Sequence, residues 1–120
     1  MSGAAVEKSL IPENPEDRKI ITLARSAAAR TGAEQGACVL DSDGRSYAGA
    51  GVRIPHLELS AVAVAVAMAA SSGAAGLEAA AVAGAAPNQA DLDVLRDLAQ
   101  PTAEIWHVDL QGEVVSVTEL

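Results

Sequence analysis

The longest apolar stretch of the chain is an unbroken run of ten residues, positions 61–70. It lies within a segment, Pro55 to Gly73, whose composition predicts one helix. A helix that is apolar on every side must also be covered on every side, so we predict that this segment is the central element of the fold. Two polar residues, His56 and Glu58, stand at its start. The N-terminus of a helix is a place where polar groups can converge on a ligand.

An amphipathic helix is predicted earlier in the chain, from Pro15 to Thr31. Asn14 is suited to cap its N-terminus, and Pro15 fits the first helical position. Gly32 follows Thr31 and is a typical helix stop. The apolar residues between these ends recur at helical spacing: Ile20, Leu23, Ala24, Ala27 and Ala28. Residues 1–14 carry Gly, Ser, Pro and mixed charge, so we predict a flexible N-terminal arm followed by one domain at residues 15–120.

Short apolar runs in the rest of the chain predict five strands and one more helix. The strands are predicted at residues 35–40, 45–50, 77–83, 105–109 and 114–117, and the helix at residues 91–98. The pair Asp43-Gly44 is typical of a hairpin turn between the first two strands. The β-α-β-α-β order of the middle predicts parallel neighbouring strands with helices on both faces. We therefore predict an α/β fold, with three α/β/α layers around a mixed five-stranded sheet.

Composition narrows the classes of function. The formal net charge is -8 and aromatic residues make up 2% of the chain, which argues against binding nucleic acid through its phosphates. The single cysteine, Cys38, excludes an intramolecular disulfide and a zinc cluster of several cysteines. The apolar run is about half of the roughly 20 residues that a membrane-spanning helix needs. No basic-then-apolar leader opens the chain, so we expect a cytoplasmic protein without membrane contact.

One spacing in the sequence suggests chemistry. Zinc deaminases carry a His-x-Glu motif and, further along, Pro-Cys-x-x-Cys at the start of another helix. Here His56 and Glu58 are followed, 29 positions after Glu58, by Pro87, with Asn88 and Asp91 at the two cysteine positions. Each residue also has a simpler interpretation, because a histidine often caps a helix and a glutamate in the first turn favours the helix dipole.

On these residues the chain resembles the cytidine deaminase family. The hairpin at residues 36–44, the helix at residues 91–98 and the closing strands at residues 102–120 are similar to that family's elements, and His56-Leu57-Glu58 looks like its Cys/His-Ala-Glu helix start. The resemblance implies the α/β/α fold described above and a homodimer or homotetramer. It also implies that the equivalent of His56 binds zinc, that the equivalent of Glu58 shuttles protons, and that two cysteines complete the site.

The departures from the family pattern decide the predicted function. Asn88 is a neutral, poor metal ligand, and Asp91 offers only a hard carboxylate where a thiolate is expected. The family's ribose-binding Asn-x-Glu element has no counterpart in residues 51–54. Cys38 lies within a predicted strand and is not a substitute ligand. We therefore predict that His56, Asn88 and Asp91 bind no zinc, that Glu58 is vestigial, and that the protein is a non-catalytic, oligomeric interaction or regulatory scaffold without a cofactor.

The sequence is also compatible with two alternatives. The first is a metal-dependent nucleoside or nucleobase deaminase with an altered site, in which His56, Asp91 and Asn88 surround a metal ion and Glu58 acts as acid and base. Zinc would then be its cofactor. The second is a non-catalytic module that binds a nucleoside. The sequence identifies no protein partner.

Overall fold

A mixed five-stranded sheet organises residues 11–120, which are the part of the chain that the computed structural model describes. In chain order the elements are α1 (Pro15–Thr31), β1 (Gln35–Asp41), β2 (Ser46–Ala50), β3 (Val52–Ile54), β4 (Leu57–Leu59), α2 (Ala61–Ser71), β5 (Leu77–Gly84), α3 (Gln89–Leu98), β6 (Ala99–Val108) and β7 (Val114–Glu119). The sheet order is β2-β1-β5-β6-β7, while β3 and β4 form a separate two-stranded ribbon. Of the predicted arm, residues 1–10 lie outside the described residues.

Strand directions confirm a mixed sheet but correct one part of the predicted topology. β5 and β6 are parallel neighbours, as the sequence predicts. β2 and β5 are not neighbours, because β1 lies between them and runs antiparallel to both. The connection through α2 therefore crosses over β1, which the order of elements along the sequence could not reveal.

Helices pack on both faces of the sheet, which gives the predicted three layers. α1 covers one face, and the core there includes Ile20, Ala24, Cys38, Ala81, Trp106 and Val108. α2 and α3 cover the other face, and the core there includes Val39, Val62, Val66, Val82, Leu95 and Ile105. Neighbouring strand residues such as Cys38 and Val39 thus face opposite layers, as the period of two in a strand requires.

The first helix has the predicted bounds because its end signals are local. Asn14 Oδ1 accepts the N–H of Glu16 at 2.8 Å and caps the N-terminus. Gly32 has a φ of 66°, the left-handed conformation that glycine adopts readily, and it ends the helix.

The central helix begins later than the sequence predicted. α2 starts at Ala61 with Ser60 as its N-cap, so the predicted helix start at Pro55 is wrong. Residues 52–59 instead form the β3–β4 hairpin, with Pro55 and His56 in its turn. The physical reason is the alternation of apolar and charged residues along both short segments, which suits strands. Arg53 and Glu58 lie opposite each other in this hairpin and carry opposite charges.

Coverage of α2 is also less complete than predicted. Its buried residues are Ala61, Val62, Ala65, Val66 and Ala69. On the other side of the helix, Ala67, Met68 and Ala70 are exposed in the single chain. The helix therefore presents an apolar surface without a charged residue to the outside. Within residues 11–120, no helix is long and apolar enough to cross a membrane.

Candidate functional site

An open cavity of about 620 Å³ lies where the first turns of α2 and α3 approach each other. Several loops complete its wall, including the segment before β1 and the β3–β4 hairpin. Its polar lining includes Gln35, Arg53, Glu58, Ser60, Asn88 and Asp91. The cavity is thus built mainly from the segments that precede the two helices.

Ser60 links the head of α2 to the head of α3. Its extended backbone places the side chain over the first turn, where Oγ accepts the N–H of Ala63 at 3.0 Å. The same hydroxyl donates a hydrogen bond of 2.6 Å to Oδ1 of Asp91. This contact joins residues that are 31 positions apart in sequence, so only the tertiary fold creates it.

Asn88 and Asp91 form a reciprocal cap at the start of α3. Oδ1 of Asn88 accepts the N–H of Asp91 at 2.8 Å, and Oδ2 of Asp91 accepts the N–H of Asn88 at 3.1 Å. Two N–H groups that a helix start leaves without a partner are satisfied in this way. Asp91 is 6% exposed as a residue, and each of its side-chain oxygens accepts a hydrogen bond.

Gln35 at the start of β1 joins the same region to the sheet. Its Oε1 accepts the N–H of Ala61, the first residue of α2, at 3.1 Å. Its Nε2 donates to the carbonyl oxygen of Ala85, in the loop before α3, at 2.9 Å. One side-chain amide therefore connects a strand, a helix start and a loop.

The structure separates the residues that the sequence grouped into a site. Glu58, Asn88 and Asp91 line the same cavity, but His56 does not contribute to its wall. His56 is exposed in the turn of the β3–β4 hairpin. The Glu58 side chain is 71% exposed, and its Oε2 lies 3.5 Å from Nη2 of Arg53.

The donor groups at the two helix heads do not fit a zinc ion. A zinc site requires at least three strong protein ligands, usually thiolate, imidazole or carboxylate. Ser60 supplies a neutral hydroxyl and Asn88 a neutral amide, so Asp91 is the single strong ligand among the three. Among residues 11–120, no group of three or more His, Cys, Asp or Glu side chains is arranged to hold a metal ion.

Sequence reasoning missed Ser60 and Gln35 as members of this site. For Ser60 a signal was present, because a serine directly before an apolar helix is a typical N-cap. Nothing local indicates the contact of Ser60 with Asp91 or the bridge made by Gln35, since both depend on chain segments that are distant in sequence.

Comparisons with known proteins agree with this architecture. A family model described as cytidine deaminase-like matches residues 13–112. The solved cytidine deaminase from Burkholderia pseudomallei has a TM-score of 0.74 and 27% sequence identity over 85% of this chain and 91% of that chain. The cytidine deaminase from Mycobacterium tuberculosis has a TM-score of 0.66 and 25% identity over 77% of this chain and 85% of that chain.

A third solved structure, the cytidine deaminase from Mycobacterium leprae, has a TM-score of 0.65 at 18% identity over 77% of this chain and 87% of that chain, and so supports the fold alone. A search of curated proteins found no match. The family model covers most of the domain, and the solved structures agree with the fold described above. The chain therefore belongs to the cytidine deaminase-like family.

Proposed function

We propose that this protein is a non-catalytic member of its family and acts in the cytoplasm as an oligomeric interaction or regulatory scaffold. One observation carries the proposal: Ser60, Asn88 and Asp91 are engaged with one another and with helix N–H groups. Deamination in this family needs a metal-bound water that attacks the ring carbon. Two neutral side chains and one carboxylate whose oxygens are both already hydrogen-bonded hold neither a metal ion nor an activated water.

The position of the helix start supports the same conclusion. The family motif opens its helix with a metal ligand and has a glutamate two residues later. In this chain the residues that open α2 are Ser60, Ala61 and Val62. We assign the ligand and glutamate positions to Ser60 and Val62 rather than to His56 and Glu58. Val62 is 1% exposed within the core and has no group that can carry a proton.

The outer surface of α2 supports the scaffold role. Ala67, Ala70 and Met68 are exposed, and Met68 is 42% exposed. Exposed apolar surface without charge is typical of a surface that contacts another protein. Because the rest of the chain is strongly acidic, an uncharged surface is where two copies can approach with the least repulsion. We therefore expect a homodimer or homotetramer assembled through α2.

A non-catalytic nucleoside-binding module is the second candidate, and the cavity favours it. Its volume of about 620 Å³ lies within the roughly 300–1,000 Å³ of small-molecule sites. Thermal unfolding with cytidine, deoxycytidine and uridine tests this candidate. A nucleoside present at 100 times its dissociation constant should add about 2.7 kcal/mol of stability. No change in the unfolding midpoint at millimolar nucleoside would rule this role out.

Catalysis is tested with purified, untagged protein. We expect no deamination of cytidine, deoxycytidine or cytosine, with or without added zinc, manganese or iron, and substoichiometric metal in elemental analysis. Turnover that disappears in Glu58→Gln would instead support the alternative deaminase with a site built from His56, Asn88 and Asp91. Turnover that persists in that variant would exclude Glu58 as the acid and base and would contradict the proposal that the protein is non-catalytic.

Assembly is tested by light scattering coupled to size exclusion. The wild-type protein should elute as a dimer or tetramer, and Met68→Glu should shift it toward the monomer because a charge then enters the contact. Leu110→Glu is the matched control, since Leu110 is 44% exposed and lies outside α2. A monomeric wild-type protein, or equal effects of the two variants, would refute assembly through α2.

A further inference from the structure

We propose that a polar clasp of four side chains takes the structural place of a metal ion at the heads of α2 and α3. The clasp consists of Gln35, Ser60, Asn88 and Asp91, and its central contact is the Ser60–Asp91 hydrogen bond. The proposal rests on the proposed function, because it requires that no resident metal holds these helices. It adds a physical account of how the fold stays assembled without one.

The central contact has the geometry of a strong hydrogen bond. The distance of 2.6 Å between Oγ of Ser60 and Oδ1 of Asp91 falls within the roughly 2.5–2.7 Å of hydroxyl-to-carboxylate bonds, which are about twice as strong as neutral ones. The carboxylate is almost fully buried, so removal of the serine hydroxyl would leave a buried acceptor without its partner. The free-energy cost of leaving a buried acceptor without a partner exceeds the net contribution of an ordinary hydrogen bond to stability.

Apolar side chains hold the body of α3, since Leu92, Val94 and Leu98 are partly buried against the core, while the clasp holds its first turn. Asp91 and Leu95 are the two buried residues of α3, and they lie four positions apart on the same face. Leu95 packs into the core on the α2 side of the sheet, whereas Asp91 fixes the first turn through Ser60. The clasp therefore determines where the N-terminus of α3 sits relative to α2.

Gln35 connects the clasp to the sheet, and the reciprocal cap satisfies polar groups within the clasp itself. The Gln35 amide bridges the first residue of α2 and the loop before α3. Asn88 and Asp91 satisfy each other's backbone N–H groups. The hydrogen bonds of these four side chains thus join or cap the segments that a metal ion at this place would hold together.

The clasp is tested first by a double-mutant cycle on the full chain. Ser60→Ala and Asp91→Asn should each lower the thermal midpoint by roughly 5–10 °C. The double variant should lose less than the sum of the two single losses, because Ser60→Ala removes the Ser60–Asp91 contact and Asp91→Asn weakens the same contact by removing its charge. Ser60→Thr keeps the hydroxyl and should recover most of the midpoint, while Asp93→Asn on the exposed side of α3 is the matched control. Additive losses would overturn the clasp.

The second test replaces the clasp by metal ligands. We combine Ser60→Cys, Asn88→Cys and Asp91→Cys in one triple variant. In the presence of a chelator, this variant should have a lower thermal midpoint than the wild-type protein, and one equivalent of zinc should raise that midpoint again. Cobalt should give the intense thiolate-to-metal absorption of a tetrahedral site. The midpoint of the wild-type protein should change with neither zinc nor chelator. A triple variant as stable in chelator as the wild type, or one that binds no zinc, would overturn the proposal.

The two proposals can fail separately. Deamination by the wild-type protein would remove the proposed function even if Ser60 and Asp91 remain coupled in the cycle. Additive effects in the cycle would remove the clasp even if the protein is inactive. A wild-type midpoint that falls in chelator would show a resident metal and overturn both.

Discussion

Tyr47 donates a hydrogen bond of 3.0 Å from its hydroxyl to Oδ2 of Asp41, a residue that is 1% exposed. The other oxygen of Asp41 accepts the backbone N–H groups of Asp43 and Arg45, each at 2.9 Å. These bonds close the turn between β1 and β2, where Gly44 has a φ of 84°. The predicted Asp-Gly hairpin turn is therefore confirmed, and the strands on either side of it carry two ionisable groups that affect each other.

Titration of Tyr47 should show this contact directly. Burial, followed by the hydrogen bond to the Asp41 carboxylate, raises the pKa of Tyr47 above its ordinary value. The chain has one tyrosine, so tyrosinate absorbance follows this residue alone. We expect a native midpoint above the unfolded value of about 10, and Asp41→Asn should lower it toward that value.

Two controls accompany the tyrosine titration. Asp43→Asn removes a neighbouring charge but not the hydroxyl contact, so it should leave most of the shift in place. Protein in concentrated urea should titrate near the ordinary value. Because the unfolded chain loses its proton first, the stability that neutral Tyr47 contributes should fall as pH rises from about 10 through the native pKa. A native midpoint equal to that in urea would contradict the assignment.

The acid side of the stability profile should depend on Asp41. Although burial alone raises its pKa, the hydrogen bonds from Arg45, Tyr47 and Asp43 outweigh burial and hold the pKa of Asp41 below its ordinary value. A lowered native pKa means that this contribution is present above the unfolded pKa of about 3.9 and is lost as pH falls through the native pKa. The difference in thermal midpoint between wild type and Asp41→Asn should therefore shrink below about pH 4. A difference that stays constant down to about pH 2.5 would disprove this dependence.

The sequence predicted an element correctly where residues close to its ends determine its bounds. α1 has the bounds given by Asn14, Pro15 and Gly32 because capping and helix termination act within a few residues. The β3–β4 hairpin was missed although its sequence alternates with a period of two, because the adjoining apolar run extended the predicted helix back to Pro55. The place of β1 between β2 and β5 is set by long-range pairing, which element order does not encode.

The candidate site was predictable only in part. The sequence placed Asn88 and Asp91 at the start of one helix, and the structure brings them together in a cap. His56 was grouped with them because of the spacing of a motif, but a shift of the helix start to Ala61 places His56 in an exposed turn. Ser60 enters the site through a contact across 31 positions, and no local pattern specifies such a contact.

Close packing of β2 against α2 should make Gly49 intolerant of a side chain. A Cβ atom at this position would lie 2.5 Å from Cγ1 of Val64, which is a stiff, β-branched side chain. Gly49→Ala should therefore lower the free energy of unfolding by about 1–3 kcal/mol, measured by urea titration. Adding Val64→Ala to this variant should restore part of the loss because it removes the clashing methyl group.

Gly51→Ala is the matched control for Gly49. A Cβ atom there would meet the carbonyl oxygen of Leu59 at 3.6 Å, an ordinary contact. We expect a change of less than about 0.5 kcal/mol, as for most unstrained surface substitutions. Equal losses at the two glycines would indicate that backbone freedom, rather than the contact with Val64, accounts for the effect.

The thiol of Cys38 should be unreactive toward thiol reagents in the folded protein. It lies in β1 with 0% exposure, and burial raises the pKa of its thiol to about 12. The reactive species is the thiolate, which at pH 8 would be about one part in ten thousand of such a thiol. We expect no labelling by a disulfide reagent at pH 8 until urea unfolds the chain, and then one thiol per molecule. In a Ser71→Cys variant, the exposed new thiol should react at once while Cys38 stays protected. Rapid native labelling of two thiols in that variant would show that β1 opens without global unfolding, because the reagent cannot otherwise reach a strand covered by α1.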